Sequence, residues 1–297
     1  GLVIVDEQHR FGVAQRLALK NKGADVHQLM MSATPIPRTL AMSFFADLDV
    51  SVIDELPPGR TPIKTRLVNS VRRSEVEGLV LGACRKGQQA YWVCPLIEES
   101  ETLQLQTATE TQAALQAALP ELSIGLVHGR MKAAEKAEVM AEFSAGRLNV
   151  LVATTVIEVG VDVPNAALMV IEHAERMGLA QLHQLRGRVG RGAAASACVL
   201  LFAEPLGDIA KARLKVIYEH TDGFEIARQD LNIRGPGEFL GARQSGVPML
   251  RFADLEEDLP LLEAARNIAP QLIDERPDIV DAHLARWLAS RESYLGV

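Results

Sequence analysis

The sequence predicts an α/β fold built on parallel sheets, and two patterns predict it. Short runs that are apolar on successive residues recur at Leu2–Val5, Leu29–Met31, Ala90–Cys94, Ile124–Val127, Val150–Ala153, Leu168–Ile171 and Cys198–Phe202. A run without polar alternation is how a strand buried on both faces reads. Between these runs apolar residues return at helical spacing, as in Val76, Leu79, Val80, Ala83 and Cys84, and again in Ala133, Ala137, Met140 and Phe143. Strands alternating with helices imply parallel pairing, with crossover helices covering the sheet. A chain of 297 residues, 48% hydrophobic and 23% charged, suffices for one large or two ordinary domains.

Taken in order, the first strand pattern starts at residue 2 of a chain that does not begin with Met. We therefore expect a fragment whose first sheet has further strands upstream. That strand ends in Asp6-Glu7, which sets two carboxylates at the carboxyl edge of a parallel sheet, where such sheets bind ligands. In phosphoryl transfer to water, one carboxylate can hold the waters around Mg²⁺ and its neighbour can take the proton of the attacking water. The next strand runs into Met31-Ser-Ala-Thr-Pro-Ile-Pro-Arg38. Its small hydroxyls can hydrogen-bond those carboxylates, and Pro35 and Pro37 keep the following turn out of a helix. Leu56-Pro-Pro-Gly-Arg-Thr-Pro62 then reads as an interdomain linker, since neither a helix nor a central strand tolerates it. Glu98–Gln112 is polar and Thr-rich, and is expected to be a surface loop running into a helix around Ala113–Leu119.

Gln184-Leu-Arg-Gly-Arg-Val-Gly-Arg191 sets three arginines and two glycines before the last apolar run, and is expected to be a short turn. Arginines this dense beside a sheet suit a polyanion, with a triphosphate the obvious candidate. After Phe202 the strand alternation stops. Leu206, Ala210, Leu214 and Ile217 share one helical face, Arg213 lies just off it, and a turn at Asp222-Gly223 leads to a second helical pattern. The tail carries amphipathic patterns around Leu259–Ile268 and Ile279–Leu288.

Net charge is −7, but it is unevenly spread. Residues 252–297 hold 10 acids and 4 bases, whereas residues 176–251 hold 11 bases and 7 acids. The basic middle is where phosphate would bind, and the acidic tail is a poor DNA surface. No apolar run approaches the ~20 residues of a membrane helix, so no membrane partner is expected. Cys84, Cys94 and Cys198 fit neither a metal spacing nor a disulfide framework, and are expected as buried thiols in a reducing cytosol.

In their order along the chain these motifs resemble those of the superfamily 2 helicases. Asp6-Glu7 and Ser32-Ala-Thr34 are similar to the family's second and third motifs. Val127-His-Gly-Arg-Met131 follows a strand as a motif of the second motor domain does. Val152-Ala-Thr-Thr-Val-Ile-Glu-Val-Gly-Val-Asp162 resembles motif V, and Gln184–Arg191 resembles motif VI. Finer detail resembles the RecG family of bacterial branched-DNA helicases: Asp6-Glu-Gln-His-Arg-Phe-Gly12, Pro35-Ile-Pro-Arg-Thr39, Asp230-Leu-Asn-Ile-Arg-Gly-Pro-Gly-Glu-Phe-Leu-Gly241 and Arg243-Gln-Ser-Gly246. The Mfd transcription-repair coupling translocases share the last segments in a related form, but tend to have Asp-Glu-Glu-Gln and Gly-Ala-Gly instead.

The resemblance implies a RecA-like architecture. Residues 1–55 would be the end of a first RecA-like domain, truncated here, and residues 56–63 the linker. Residues 64–204 would form a complete second RecA-like domain, residues 205–250 a translocation hairpin and loop, and residues 251–297 a helical tail. ATP and Mg²⁺ are the implied cofactors, with Asp6 holding Mg²⁺ through water and Glu7 orienting and deprotonating the attacking water. Arg188 and Arg191 would be arginine fingers. Gly160 and Asp162 would touch nucleotide, and Gln184 would couple its state to DNA. Ser32, Thr34, Thr154, Thr155, Arg213, Arg234 and Gln244 would serve coupling and DNA contact. The implied partner is branched double-stranded DNA, at replication forks and Holliday junctions in recombination and repair, met by a monomer at the bacterial nucleoid in the cytoplasm.

Two other readings stand beside this one: an Mfd-like transcription-repair coupling translocase, and a non-catalytic DNA-coupling module when the fragment is isolated. The family's phosphate loop, Gly-x-x-x-x-Gly-Lys-[Ser/Thr], does not occur in these 297 residues, and Gly59-Arg-Thr61 only echoes it. The polypeptide alone is therefore expected to lack ATPase activity. Arg186 reads either as a third phosphate-facing arginine or as half of a surface ion pair. His128 reads as structural or DNA-facing, Trp92 as core, and Lys211 and Lys215 as a solvated face.

Overall fold

The structure, a computed structural model, describes residues 1–6, 19, 26–31, 51, 53, 55, 62–95, 101–154, 163–192, 194–234 and 259–288. The chain divides into two compact units, one of residues 1–35 and 53–233, the other of residues 36–52 and 234–297.

Within the first unit, β1 (Leu2–Val5) and β2 (His27–Met30) form a two-stranded parallel sheet in the register Leu2↔His27 to Val5↔Met30. Six further strands form an all-parallel sheet: β3 (Lys64–Asn69), β4 (Gln89–Cys94), β5 (Ile124–Val127), β6 (Val150–Thr154), β7 (Ala166–Ile171) and β8 (Ala197–Phe202). Their order across the sheet is β3-β8-β7-β4-β6-β5. Successive residues of a strand point to opposite faces, so the central strands feed two cores. Tyr91 and Val93 join Leu151, Ala153, Met169, Ile171 and Leu200 on one face. Ala90, Trp92 and Cys94 join Val152, Val170, Val199 and Leu201 on the other.

Helices cover both faces. α1 (Arg73–Cys84) and α2 (Glu101–Ala118) bring Val76, Val80, Ala108 and Leu115 to the Trp92 core. The opposite core takes Met140 and Phe143 from α3 (Ala133–Ser144), and Leu179, Leu182 and Leu185 from α4 (Leu179–Arg186). It also takes Leu214 and Ile217 from α5 (Asp208–Glu219), and Ile226 from α6 (Gly223–Arg234). Gln89 is buried at the start of β4, where its Nε2 donates to Phe143 O at 2.6 Å and Leu148 O at 2.7 Å, closing the end of α3. Trp92 is core, the three cysteines are buried free thiols, and Lys211 and Lys215 are exposed.

Two elements differ from expectation. The Glu98–Gln112 segment was expected as a loop, yet α2 begins at Glu101, and residues 96–100 lie outside the described residues. Ala108, Thr111, Leu115 and Leu119 form a narrow buried stripe, and Gln112 and Gln116 donate to the carbonyls of Ile124 and Leu122. A stripe this thin, partly made of small residues, barely shows among polar neighbours. The other is β3, whose Lys-Thr-Arg-Leu-Val-Asn is mostly polar, with Lys64 and Arg66 exposed on a strand at the edge of the sheet.

In the second unit, α7 (Leu259–Glu275), with Pro270 inside it, and α8 (Pro277–Leu288) occupy the two amphipathic stretches of the tail. No helix among the described residues is long and apolar enough to cross a membrane.

Candidate nucleotide and coupling site

The stretch Gln184–Arg191 is not all turn. Gln184, Leu185 and Arg186 form the last turn of α4, anchored by buried Leu182 and Leu185. The turn proper starts at Gly187 and holds Val189 in the core. Gly190 takes φ +78, a left-handed conformation that favours glycine, and any Cβ there would stand 2.9 Å from Ile63 Cγ1. A Cβ on Gly192 would collide with the Pro164 carbonyl oxygen. Arg188 is half-buried and Arg191 exposed, one on each side of the Val189-Gly190 pair.

Arg186 corrects both of its readings, because it faces neither phosphate nor a surface partner. Only 3% of it is exposed, and it points back into the protein. Its Nη1 donates to Ile217 O and His220 O, both at 2.8 Å, and its Nη2 to Thr221 O at 3.3 Å. These are carbonyls at the end of α5, which have no helical partner of their own. The guanidinium thus joins the end of α4 to the end of α5. His183 Nδ1 lies 3.2 Å from Arg186 Nη2, and burial pushes the imidazole down to about 4, so it is neutral and accepts that hydrogen bond.

The chain before α4 is also tied. His173 closes β7 at φ 48, and its Nδ1 lies 3.1 Å from Glu175 Oε1. Glu175 Oε2 accepts from the Ala203 N–H at 3.4 Å, bridging the turns after β7 and β8.

The chain crosses β4 in passing from β6 to β7, which makes the carboxyl ends of β4 and β7 the sheet's switch point, a usual ligand crevice. Here an internal cluster fills it. Arg73 Nη1 lies 2.8 Å from Glu172 Oε1, Thr111 Oγ1 donates to Glu172 Oε2 at 3.5 Å, and the Arg73 guanidinium stands 5.2 Å from the Trp92 ring centre. Cys94 joins the cluster, with burial foremost in pushing its thiol up to about 12.

Of the predicted residues, Asp6 is exposed at the end of β1, where the Met31 N–H donates to Val5 O at 2.7 Å. The register thus brings Asp6 beside Met31, which precedes Ser32 in the sequence. Glu7, Ser32 and Thr34 lie outside the described residues, as do Thr155, Gly160, Asp162 and Gln244. Thr154 ends β6, 2% exposed, and its Oγ1 has no hydrogen-bond partner. Gln184 is half-buried on α4. Arg213 is half-buried on α5 with its Nε buried and without a hydrogen-bond partner. Arg234 is the last residue of α6, and its side chain lies outside the described ones. His128 follows β5 with Nδ1 buried and unbonded, and burial lowers its proton affinity. Sequence reading missed Ile63, Pro164 and Glu175, whose partners are distant in the chain.

An all-parallel six-stranded sheet, covered by helices and carrying an arginine turn beyond α4, defines the class as a RecA-like helicase motor domain. Residues 73–193 match the helicase conserved C-terminal domain, and residues 220–287 match the domain described as ATP-dependent DNA helicase RecG, domain 3, C-terminal. The chain belongs to the RecG family. It is 60% identical over 294 residues to the ATP-dependent DNA helicase RecG of Acidithiobacillus ferridurans, covering 99% of this chain and 43% of that protein. It is 58% identical over 298 residues to that of Escherichia coli K12, with the same 99% and 43% covered. A solved structure of RecG bound to a three-way DNA junction superposes with a TM-score of 0.68 at 50% identity, covering 89% of this chain and 33% of that one. The chain thus spans less than half the length of the curated relatives it matches.

Proposed function

We propose that the intact protein is an ATP-dependent DNA helicase that remodels branched DNA, and that this chain carries its second motor domain and coupling hairpin. The observation that carries the reading is Arg186: one buried guanidinium joins the helix leading to the arginine turn to the first helix of the hairpin. A change felt at Arg188 and Arg191 then has a direct route to α5 and α6. The relatives' names supply the substrate class, and the junction bound to one of them supplies the branched DNA.

The donor set suits the implied cofactors. Two guanidiniums in a turn without a carboxylate fit phosphate oxygens, since they stay charged and present a planar fork. Asp6, exposed at a strand's carboxyl end, fits a Mg²⁺ hydration shell. ATP with Mg²⁺ would supply the phosphoryl transfer that drives movement. In our reading Asp6 holds the metal's waters, Glu7 orients and deprotonates the attacking water, and Arg188 and Arg191 stabilise charge in the transition state. Gly160 and Asp162 touch nucleotide, and Gln184 relays its state. Ser32, Thr34, Thr154, Thr155, Arg213, Arg234 and Gln244 serve coupling and DNA.

Arg188→Ala in the intact protein tests this. ATP turnover should fall by roughly 10³-fold or more while ATP binding persists. Unchanged turnover would remove Arg188 from the finger role. The same assay on the 297-residue chain alone should give no Mg²⁺-dependent turnover. Measurable turnover there would refute the view that the nucleotide site is shared with residues beyond these.

A further inference from the structure

We propose that Ile63 is a positioning residue for the arginine turn, through which the segment entering the six-stranded sheet sets where Arg188 and Arg191 stand. The inference rests on reading those arginines as phosphate-facing. Ile63 is half-buried against the core, and its branched end lies over the Gly190 backbone. A methyl added at Gly190 would meet Ile63 Cγ1 at 2.9 Å and Cδ1 at 3.3 Å. With Ile63 in place there is no room for a side chain at 190, which lies between the two arginines.

The neighbours fix both sides of this contact. The Lys64 N–H donates to Ser196 O at 3.1 Å, and the β3–β8 ladder starts at Lys64↔Ala197. Ile63 is thus tied to the sheet one residue away and cannot drift from the turn. On the far side Gly192 rests on the Pro164 carbonyl, and at the near end Arg186 is bolted to α5. Three supports hold the turn, and Ile63 follows directly on the Pro- and Gly-rich stretch 56–62. A displacement of Pro62 and Ile63 would reach Gly190 through one side chain. The two flanking guanidiniums move with it, and phosphate chemistry is sensitive to shifts of about an ångström.

The test uses the intact protein, with steady-state ATP turnover measured with and without a synthetic three-way DNA junction. Ile63→Ala should lower the DNA-stimulated kcat roughly tenfold and leave the KM for ATP within about twofold. Ile63→Val, which keeps a branched side chain at the contact, should stay within about twofold of the parent. Gly190→Ala should also lower kcat, and the Ile63→Ala/Gly190→Ala pair should lose less than the product of the single losses, because the smaller residue at 63 makes room for the added methyl. Circular dichroism at the assay temperature confirms that each variant is folded. Full kcat in folded Ile63→Ala, a loss carried by KM, or single losses that simply multiply would each overturn the proposal. Arg188→Ala separates the two levels. If it turns over ATP normally, the finger reading fails and this inference with it. If it is dead while Ile63→Ala is normal, only the positioning role fails.

Discussion

In β1 and β2 the apolar residues Leu2, Ile4 and Leu29 stay 63%, 58% and 50% exposed, whereas every residue of β4, β6 and β7 is buried. Both sheets are parallel, and β1 is as unbroken an apolar run as β7. The difference lies in what covers them. The larger sheet has α1 and α2 on one face and α3 to α6 on the other. Among the described residues nothing comparable buries Leu2, Ile4 and Leu29. A run of successive apolar residues thus specifies a strand with two faces to cover, and the covering layers come from elsewhere in the fold. The comparison also divides the proposed chemistry, with Asp6 on the smaller sheet and the arginine turn on the larger one.

The largest expected effect tests that difference in burial. Phe143→Ala removes a fully buried ring packed 4.9 Å from the Tyr91 ring, and should destabilise the larger sheet's unit by about 3–5 kcal/mol. Ile4→Ala in the same chain should change stability by no more than about 0.5 kcal/mol. Urea titration followed by Trp92 fluorescence, in a Trp287→Phe background, measures both. Equal losses would break the comparison.

A smaller effect sharpens it, since burial in the larger sheet's unit opposes protonation of His183. His183 is held at about 4, against an ordinary 6.5, by burial and then by the Arg186 charge. The unfolded chain therefore takes up this proton first. Stability is unaffected above about pH 6.5, falls as pH drops toward about 4, and levels off below that. Allowing for partial exposure, the loss is on the order of 2 kcal/mol. His183→Gln keeps an acceptor for Arg186 and should flatten that part of the stability curve. A curve parallel to the parent's between pH 6.5 and 4 would mean that His183 is solvated.

What the sequence made legible follows from the same physics. The buried strands were readable because two covered faces leave no polar alternation, and α5 because Leu214 and Ile217 fall on one face. β3 was not, since Lys64 and Arg66 sit where an edge strand meets solvent. α2 was hidden because its buried stripe includes Ala108 and Thr111 among polar residues. Arg188 and Arg191 announced themselves by type and density. Arg186 was read for its charge, and its real partners, Ile217, His220 and Thr221, are backbone carbonyls that any side chain could carry. The seat of Gly190 on Ile63 joins residues far apart in the chain, and no local pattern encodes it.

The pairing of β3 with β8 also bears on how the domain is born. Lys64 meets Ala197 across the ladder, so roughly 130 residues must leave the ribosome before β3 finds its neighbour β8. At about 5–20 residues per second that is a wait on the order of ten seconds, longer than most elementary folding events need. β4, β5 and β6 are neighbours in the sheet, and none of them needs a residue beyond 154 to pair with the other two. The nascent β3 meanwhile relies on Lys64 and Arg66 to discourage premature pairing with another chain.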